Sequence, residues 1–327
     1  MSYYCRDLPF CPPGIEGGSH YKGRSLVTVP VQQFLSWAEG PGMSMPALAL
    51  QISAGLVLSV AVAWLAYRRQ SLSRSGVYGA VLVGTLIFGL GGWPWGLLLI
   101  AFFASSSALS HYRLQQKEVI SRHFAKTGCR DLGQVLANGG LGALLAIAFR
   151  LTGGSQPWLF FAFAGAMAAV NADTWATELG LLSRKKPRVI TTLEEAEPGT
   201  SGAVSWLGLA ASLAGAWLIG FLALVFQVTK ELLAAGTANP RLAWLPLVAA
   251  LGGMVGSLFD SILGATLQAT YYCMHCGTET ERPVHGCGRQ PLYVRGWHWL
   301  GNDWVNLLSS LAGALAAAGL GWLVLHL

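Results

Sequence analysis

Eight apolar stretches punctuate this chain, each near the roughly 20 residues that an α-helix needs to cross a bilayer. They run from Ala47 to Tyr67, Val77 to Gly92, Trp95 to Ser110, Leu132 to Leu151, Trp158 to Leu182, Ser201 to Gln227, Leu242 to Thr270 and Trp299 to Leu325. In lipid the backbone must satisfy its own hydrogen bonds, so runs of this length fold as helices. The expected class is therefore all-α, a polytopic membrane bundle of about eight helices. Composition agrees: 53% of residues are hydrophobic and 11% charged, against about 25% charged in an ordinary soluble domain. Between the second and third runs, Gly91-Gly92-Trp93-Pro94 leaves room only for a tight turn. That pair reads as two spans or as one re-entrant hairpin, which would make the count seven.

Basic residues give the orientation, because cytoplasmic loops are rich in lysine and arginine. Arg68, Arg69 and Arg74 follow the first run, and Arg113, Lys117, Arg122, Lys126 and Arg130 follow the third. Arg184, Lys185, Lys186 and Arg188 follow the fifth, and Arg282, Arg289 and Arg295 the seventh. These loops are expected in the cytoplasm, with both termini external. The net charge of +6 then lies mainly on one face, where it can meet anionic lipid headgroups or an anionic substrate; no nucleic-acid partner is expected. Residues 1–45 read as an external or disordered arm, with Cys5, Cys11 and a Pro/Gly-rich composition. Residues 46–327 form the helical domain, and within it 271–297 form a cytoplasmic loop.

Polar residues inside the spans are costly, and so point to chemistry or ion binding. Asn171-Ala-Asp-Thr-Trp-Ala-Thr-Glu-Leu-Gly180 continues directly from an apolar run. Asp173 stands ten residues before Ser183 and Asp260 ten before Thr270, so each is expected roughly 15 Å along its helix from that end. The last helix, expected to begin near Trp297, brings Asn302, Asp303 and Asn306 in from the same face of the membrane. Glu178 points about 140° away from Asp173, toward the loop.

The connection after the fifth helix ends in Pro198-Gly199-Thr200-Ser201-Gly202, just before an apolar run. Glycine amides, two hydroxyls and a helix N-terminus have the physics of a phosphate cradle. The alternative is an ordinary helix start with serine or threonine as the cap. Carboxylates and phosphates in one pocket repel unless a cation intervenes, and magnesium is the economical link. Gln134 to Asn138, opening the fourth helix, either lines the same site or serves helix packing.

A separate signal is Cys273-Met-His-Cys276 followed by His285-Gly-Cys287. Cys273, Cys276, His285 and Cys287 supply four ligands suited to a tetrahedral structural zinc, with His275 as a competitor. The alternative is free thiols in a loop.

The blocks Gln134 to Gly140, Asn171 to Gly180, Pro187 to Thr192 with Pro198 to Ser205, Gly256 to Gln268, and Asn302 to Asn306 resemble the signatures of an integral membrane family known as a domain of unknown function. That family includes transmembrane protein 19 and the chloroplast phytyl-phosphate kinase. One departure is Ala203, where the family commonly has a second glycine. The resemblance implies a kinase that passes a phosphoryl group from a nucleoside triphosphate, CTP for preference, to a prenyl monophosphate held in the bilayer. In that setting Asp173, Asp260 and Asp303 would hold magnesium, with Glu178 among the catalytic carboxylates. Gly199 to Gly202, Lys185, Lys186 and Arg188 would bind phosphates, and Asn138, Asn171, Thr174, Asn302 and Asn306 would complete the pocket. The competing reading is a cation- or proton-coupled transporter that uses the same aspartates.

Overall fold

The computed structural model describes residues 44–112, 129–281, 284–285 and 287–327. Cys5, Cys11 and the rest of the arm up to residue 43 lie outside the described residues, as do Arg113, Lys117, Arg122, Lys126 and Arg282. Eight helices among the described residues are long and apolar enough to cross a membrane. They are α1 (Met45–Arg68), α2 (Arg74–Leu86, prolonged by a π-helical turn, Ile87–Gly91), α3 (Trp93–His111), α4 (Leu132–Leu151), α5 (Trp158–Gly180), α6 (Trp206–Ala235), α7 (Leu245–Thr266, preceded by a 3₁₀ turn, Pro240–Trp244) and α8 (Asn302–His326).

The pair that might have been one hairpin forms two spans, of 18 and 19 residues. A π turn frees carbonyls from the regular ladder, which is expensive in lipid unless they find partners. Gln51 of α1 supplies one: its buried amide donates to Gly89 O at 2.9 Å and approaches Phe88 O at 3.3 Å. Gly92 then reverses the chain at φ +90°, a region that favours glycine, and Pro94 sits in the first turn of α3.

α5 is the hub. It packs against α3, α4, α6, α7 and α8 and is the most enclosed of the spans. Small residues let α5, α7 and α8 approach almost to backbone contact. A Cβ placed on Gly313 would stand 2.7 Å from the Ala169 methyl and 2.9 Å from Gly252 O, and one on Gly256 would stand 2.7 Å from Ser309 O. One helical turn beyond this contact come Asp173 (four after Ala169), Asp260 (four after Gly256) and Ser309 (four before Gly313). The close packing thus brings these three to a common level. α1, α2 and α4 form a further layer, α1 on α2, α2 on α4, and α4 on α5 and α8.

Two small antiparallel sheets lie in connections at the end of the bundle that carries Asp173 and Asp260. β1 (Arg188–Val189) pairs with β2 (Ala203–Val204), and β3 (Thr270–Cys273) lies between β4 (Thr278–Thr280) and β5 (Leu292–Arg295). Exposed Trp206, Trp297, Trp299 and Trp304 ring this end, and Trp244 and Trp322 stand toward the other, as the aromatic belts of a bilayer-spanning protein do. With eight spans, Met45 and His326 both lie at the end opposite the sheets.

Candidate functional site

Asp173 and Asp260 lie closer to the ends of their helices than the apolar runs indicated. α5 closes at Gly180 and α7 at Thr266, since Thr270 belongs to β3. Asp173 and Asp260 are therefore about 10 Å along their helices from the ends. Oδ2 of Asp260 accepts a hydrogen bond from Ser309 Oγ at 3.2 Å, which joins α7 to α8. Asp173 is half-buried and already engaged in a polar or electrostatic interaction. Asp303, in the first turn of α8, turns toward α4: its Oδ2 is 2.6 Å from where a Cβ on Gly133 would lie, and Asp131 Oδ1 is 3.4 Å from the same point. The three aspartates thus share one end of the bundle, but among the described residues they do not gather as a single three-ligand cluster. Asp131 is a carboxylate that sequence reasoning missed. It caps α4 by accepting from Gln134 N at 3.0 Å, and its place directly before the Gln134–Asn138 run was the available signal.

Glu178 faces α3, where it accepts from Ser110 Oγ at 2.6 Å. Beside it is Arg130, between α3 and α4. This guanidinium donates to Ser107 Oγ at 2.8 Å and lies 5.3 Å from the centre of the Phe103 ring. Burial lowers its pKa from the ordinary arginine value, and the Glu178 charge works in the opposite direction.

Asn171, fully buried, is spent on structure. Its Oδ1 accepts from Ser105 and Ser106 at 2.9 and 3.2 Å, and its Nδ2 donates to Gly215 O at 2.8 Å. These bonds tie α3 and α6 to α5, in place of the phosphate contact expected of it. Thr174 donates to Val170 O within its own helix.

The Pro198–Gly202 segment also differs from expectation. α6 starts at Trp206 rather than at Ser201, because Ser205 is the extended residue whose hydroxyl accepts from Gly208 N and caps the helix. Thr200 and Ser201 are thus four or more residues upstream of the helix, and neither is its cap. Thr200 Oγ1 donates to Glu197 O, and Ser201 Oγ donates to Gln268 Oε1 at 3.0 Å. Gly202, at φ +77°, leaves no room for a Cβ against Ala265 of α7, so the loop is docked on the end of that helix. Gly199 also needs its freedom, at φ +95°. Ala203 lies in β2 with extended backbone, where alanine is accommodated as readily as glycine. Lys186 and Arg188 pair with Glu197 at 3.0 Å and Glu195 at 3.5 Å, all on the exposed surface. Lys185 is exposed beside them, Asn138 is half-buried on α4, and Asn302 and Asn306 are half-buried in the first turns of α8.

Cys273, Cys276, His285 and Cys287 do converge, with ligand atoms all within 4.8 Å of one another. The two Cys knuckle residues lie on the β3–β4 turn, and His285 and Cys287 follow β4. Sγ of Cys273 and of Cys287 are 3.7 Å apart; two sulfurs each about 2.3 Å from a tetrahedral zinc would be about 3.8 Å apart. Burial pushes the Cys273 thiol up, but backbone and side-chain hydrogen bonds from Cys276, Cys287 and His275 outweigh it and leave the pKa below the ordinary value. Cys276 is pushed up to about 11 by burial and its sulfur neighbours. The donor set fits a structural zinc.

Fold and site together define a polytopic membrane protein with a carboxylate-rich polar end on an otherwise apolar bundle. The chain belongs to the family described as integral membrane protein DUF92, which matches residues 57–314. It is 35% identical to Protein PGR of Arabidopsis thaliana over 268 residues, 78% of this chain and 91% of that one. It is 31% identical to an uncharacterized membrane protein of Methanocaldococcus jannaschii over 219 residues, 67% and 84% of the two chains. It is also 27% identical to the chloroplastic protein VTE6 of Arabidopsis thaliana over 250 residues, 75% and 64% of the two. No solved structure matches.

Proposed function

We propose that this protein is a membrane-bound kinase of prenyl, phytyl-type, monophosphates that takes its phosphoryl group from a nucleoside triphosphate, CTP for preference, at the cytoplasmic face. The reading rests on the family resemblance, and the observation that carries it is the position of the carboxylates. Asp173 and Asp260 sit about 10 Å inside one end of the bundle, where a lipid-borne headgroup and a soluble nucleotide can meet. Transport is less well supported, since α5, the most enclosed span, is buried and apolar from Leu159 to Val170.

In the reaction, a phosphate oxygen of the prenyl phosphate attacks the terminal phosphorus of the nucleotide. The new P–O bond forms as the bond to the nucleoside diphosphate breaks. The attacking group is already anionic, so the step needs positioning and charge neutralisation more than a base. Magnesium, when bound, neutralises phosphate charge. It takes one or two protein carboxylates beside phosphates and water, which Asp173 and Asp260 suit without a closed three-aspartate cage; Asp303 with Asp131 offers a second carboxylate pair. Ser309 orients Asp260. Lys185, Lys186 and Arg188 lie exposed on the loop between α5 and α6; the exposed ion pairs of Lys186 and Arg188 contribute little to stability, so an incoming triphosphate would displace them at small cost. We assign the four Cys/His ligands a structural zinc that braces the link between α7 and α8.

The test is conversion of a prenyl phosphate to its diphosphate by purified protein with CTP and magnesium, abolished by Asp173→Asn. No turnover with any nucleotide over several chain lengths, together with cation-coupled flux in proteoliposomes, would overturn the kinase reading.

A further inference from the structure

A groove runs between α1, α2, α3 and α4. Its walls are mainly apolar, formed by side chains such as Val62, Val83, Leu99 and Phe103, and its cavity volume is about 80 Å³, with one side open. Four polar side chains line it: Arg130, Gln134 and Asn138, all on one stretch of chain, and Ser59 of α1. Gln134 and Asn138 are four residues apart and so share a face of α4. The groove follows α2 from Ala80 to Phe88, eight residues and so about 12 Å. Phe88 forms its floor, with its ring wedged against Gly55 and Gly96, where a Cβ would collide with it.

Arg130 is fixed at the mouth by its backbone. Its N–H donates to Ser71 O and its carbonyl accepts from Ser73 N, each at 3.0 Å, and Gly76 is bare where a Cβ would strike that carbonyl. The half-buried Arg130 guanidinium has a neutral hydroxyl and an aromatic ring as close partners, with the Glu178 charge also acting on it. A partly desolvated charge held in this way gains from an anion brought to it.

We propose that this groove seats the prenyl phosphate, with the isoprenoid tail along α1–α4 down to Phe88 and the phosphate at Arg130, Gln134 and Asn138. The inference deepens the kinase reading and rests on it for the identity of the ligand. A long apolar chain with one anionic end matches mainly apolar walls that carry one charged side chain, Arg130. The adjacent Asp131–Asp303 pair would meet the phosphate through a cation. Glu178, bound to Ser110, restrains Arg130 rather than touching substrate.

A photoactivatable prenyl phosphate, added to the full chain in nanodiscs without nucleotide, tests this. Labelling is expected on α1–α4 peptides that carry Val62, Val83 and Leu99, displaced by unlabelled prenyl phosphate but not by prenyl alcohol or phosphatidic acid. Arg130→Gln should weaken competition about tenfold or more. Val62→Trp, which fills the groove, should abolish labelling, and Val57→Trp on the exposed side of α1 should not. Labelling spread over the outer helix faces, or displaced equally by phosphatidic acid, would overturn the proposal. Binding in the groove without turnover would instead sink the kinase reading alone, and unchanged turnover in Val62→Trp would sink the groove alone.

Discussion

Ser309 Oγ donates to Asp260 Oδ2 at 3.2 Å, linking α7 and α8 one turn beyond the contact of Gly256 with Ser309 O. A carboxylate at this depth needs such a donor to hold one orientation. Asp260→Asn should lower turnover about 100-fold or more, the scale set by removing one electrostatic stabiliser. Ser309→Ala should cost about tenfold and raise the magnesium concentration needed for half-maximal rate, as loss of a ligand's hydrogen-bond partner does. Equal magnesium dependence in Ser309→Ala and the parent would refute the orienting role.

Gly313→Leu tests the packing beneath the site. Its side chain would meet Ala169 and Gly252 O within 3 Å, and overpacking typically costs about 1–3 kcal/mol. The melting temperature in detergent should fall, and activity should fall further, because α8 carries Ser309 and Asp303 with it. A variant with parental stability and activity would contradict the close contact.

Asn171→Leu separates structure from ligand binding. Removing the carboxamide leaves Ser105, Ser106 and Gly215 O without their partner, and interhelical hydrogen bonds of this kind contribute about 1–2 kcal/mol at most. Reduced thermal stability is expected, with the KM for both substrates nearly unchanged in the folded fraction. A raised KM at parental stability would restore Asn171 to the phosphate pocket.

Elemental analysis of purified protein should find one zinc per chain, and Cys273→Ser should lose it. Chelation should open β3–β5 to hydrogen exchange before it affects the helices, since the bound metal is part of the folding energy of such a loop. Zinc-free protein with unaltered exchange in Thr270–Arg295 would argue for free thiols.

The spans were legible in the sequence because each is a long apolar run, and the family blocks marked which runs carry polar groups. The four-ligand Cys/His set was legible because its spacing places two knuckles within one short loop. Helix ends were less clear. The run from Pro198 to Ser205 holds three hydroxyl residues that could each cap a helix, and only the pairing of β1 with β2 decides that Ser205 does. Asn171 looked like a ligand because its neighbours are acidic; its real partners, Ser105, Ser106 and Gly215, come from two other helices. Arg130 read as part of a basic loop, and Asp131 was not singled out. Their place at a groove mouth depends on how α1–α4 pack, which periodicity does not reveal.

The enclosure of α5 bears on how the protein is made. It is the least apolar of the eight spans and the most surrounded, and three of its partners, α6, α7 and α8, follow it in the chain. As the fifth span leaves the translocon it would expose Asn171, Asp173 and Glu178 to lipid before those partners exist. Its insertion is therefore expected to depend on the C-terminal half, and a chain truncated after Gly180 should leave α5 short of full insertion, measurable by glycosylation mapping of a tag placed beyond it.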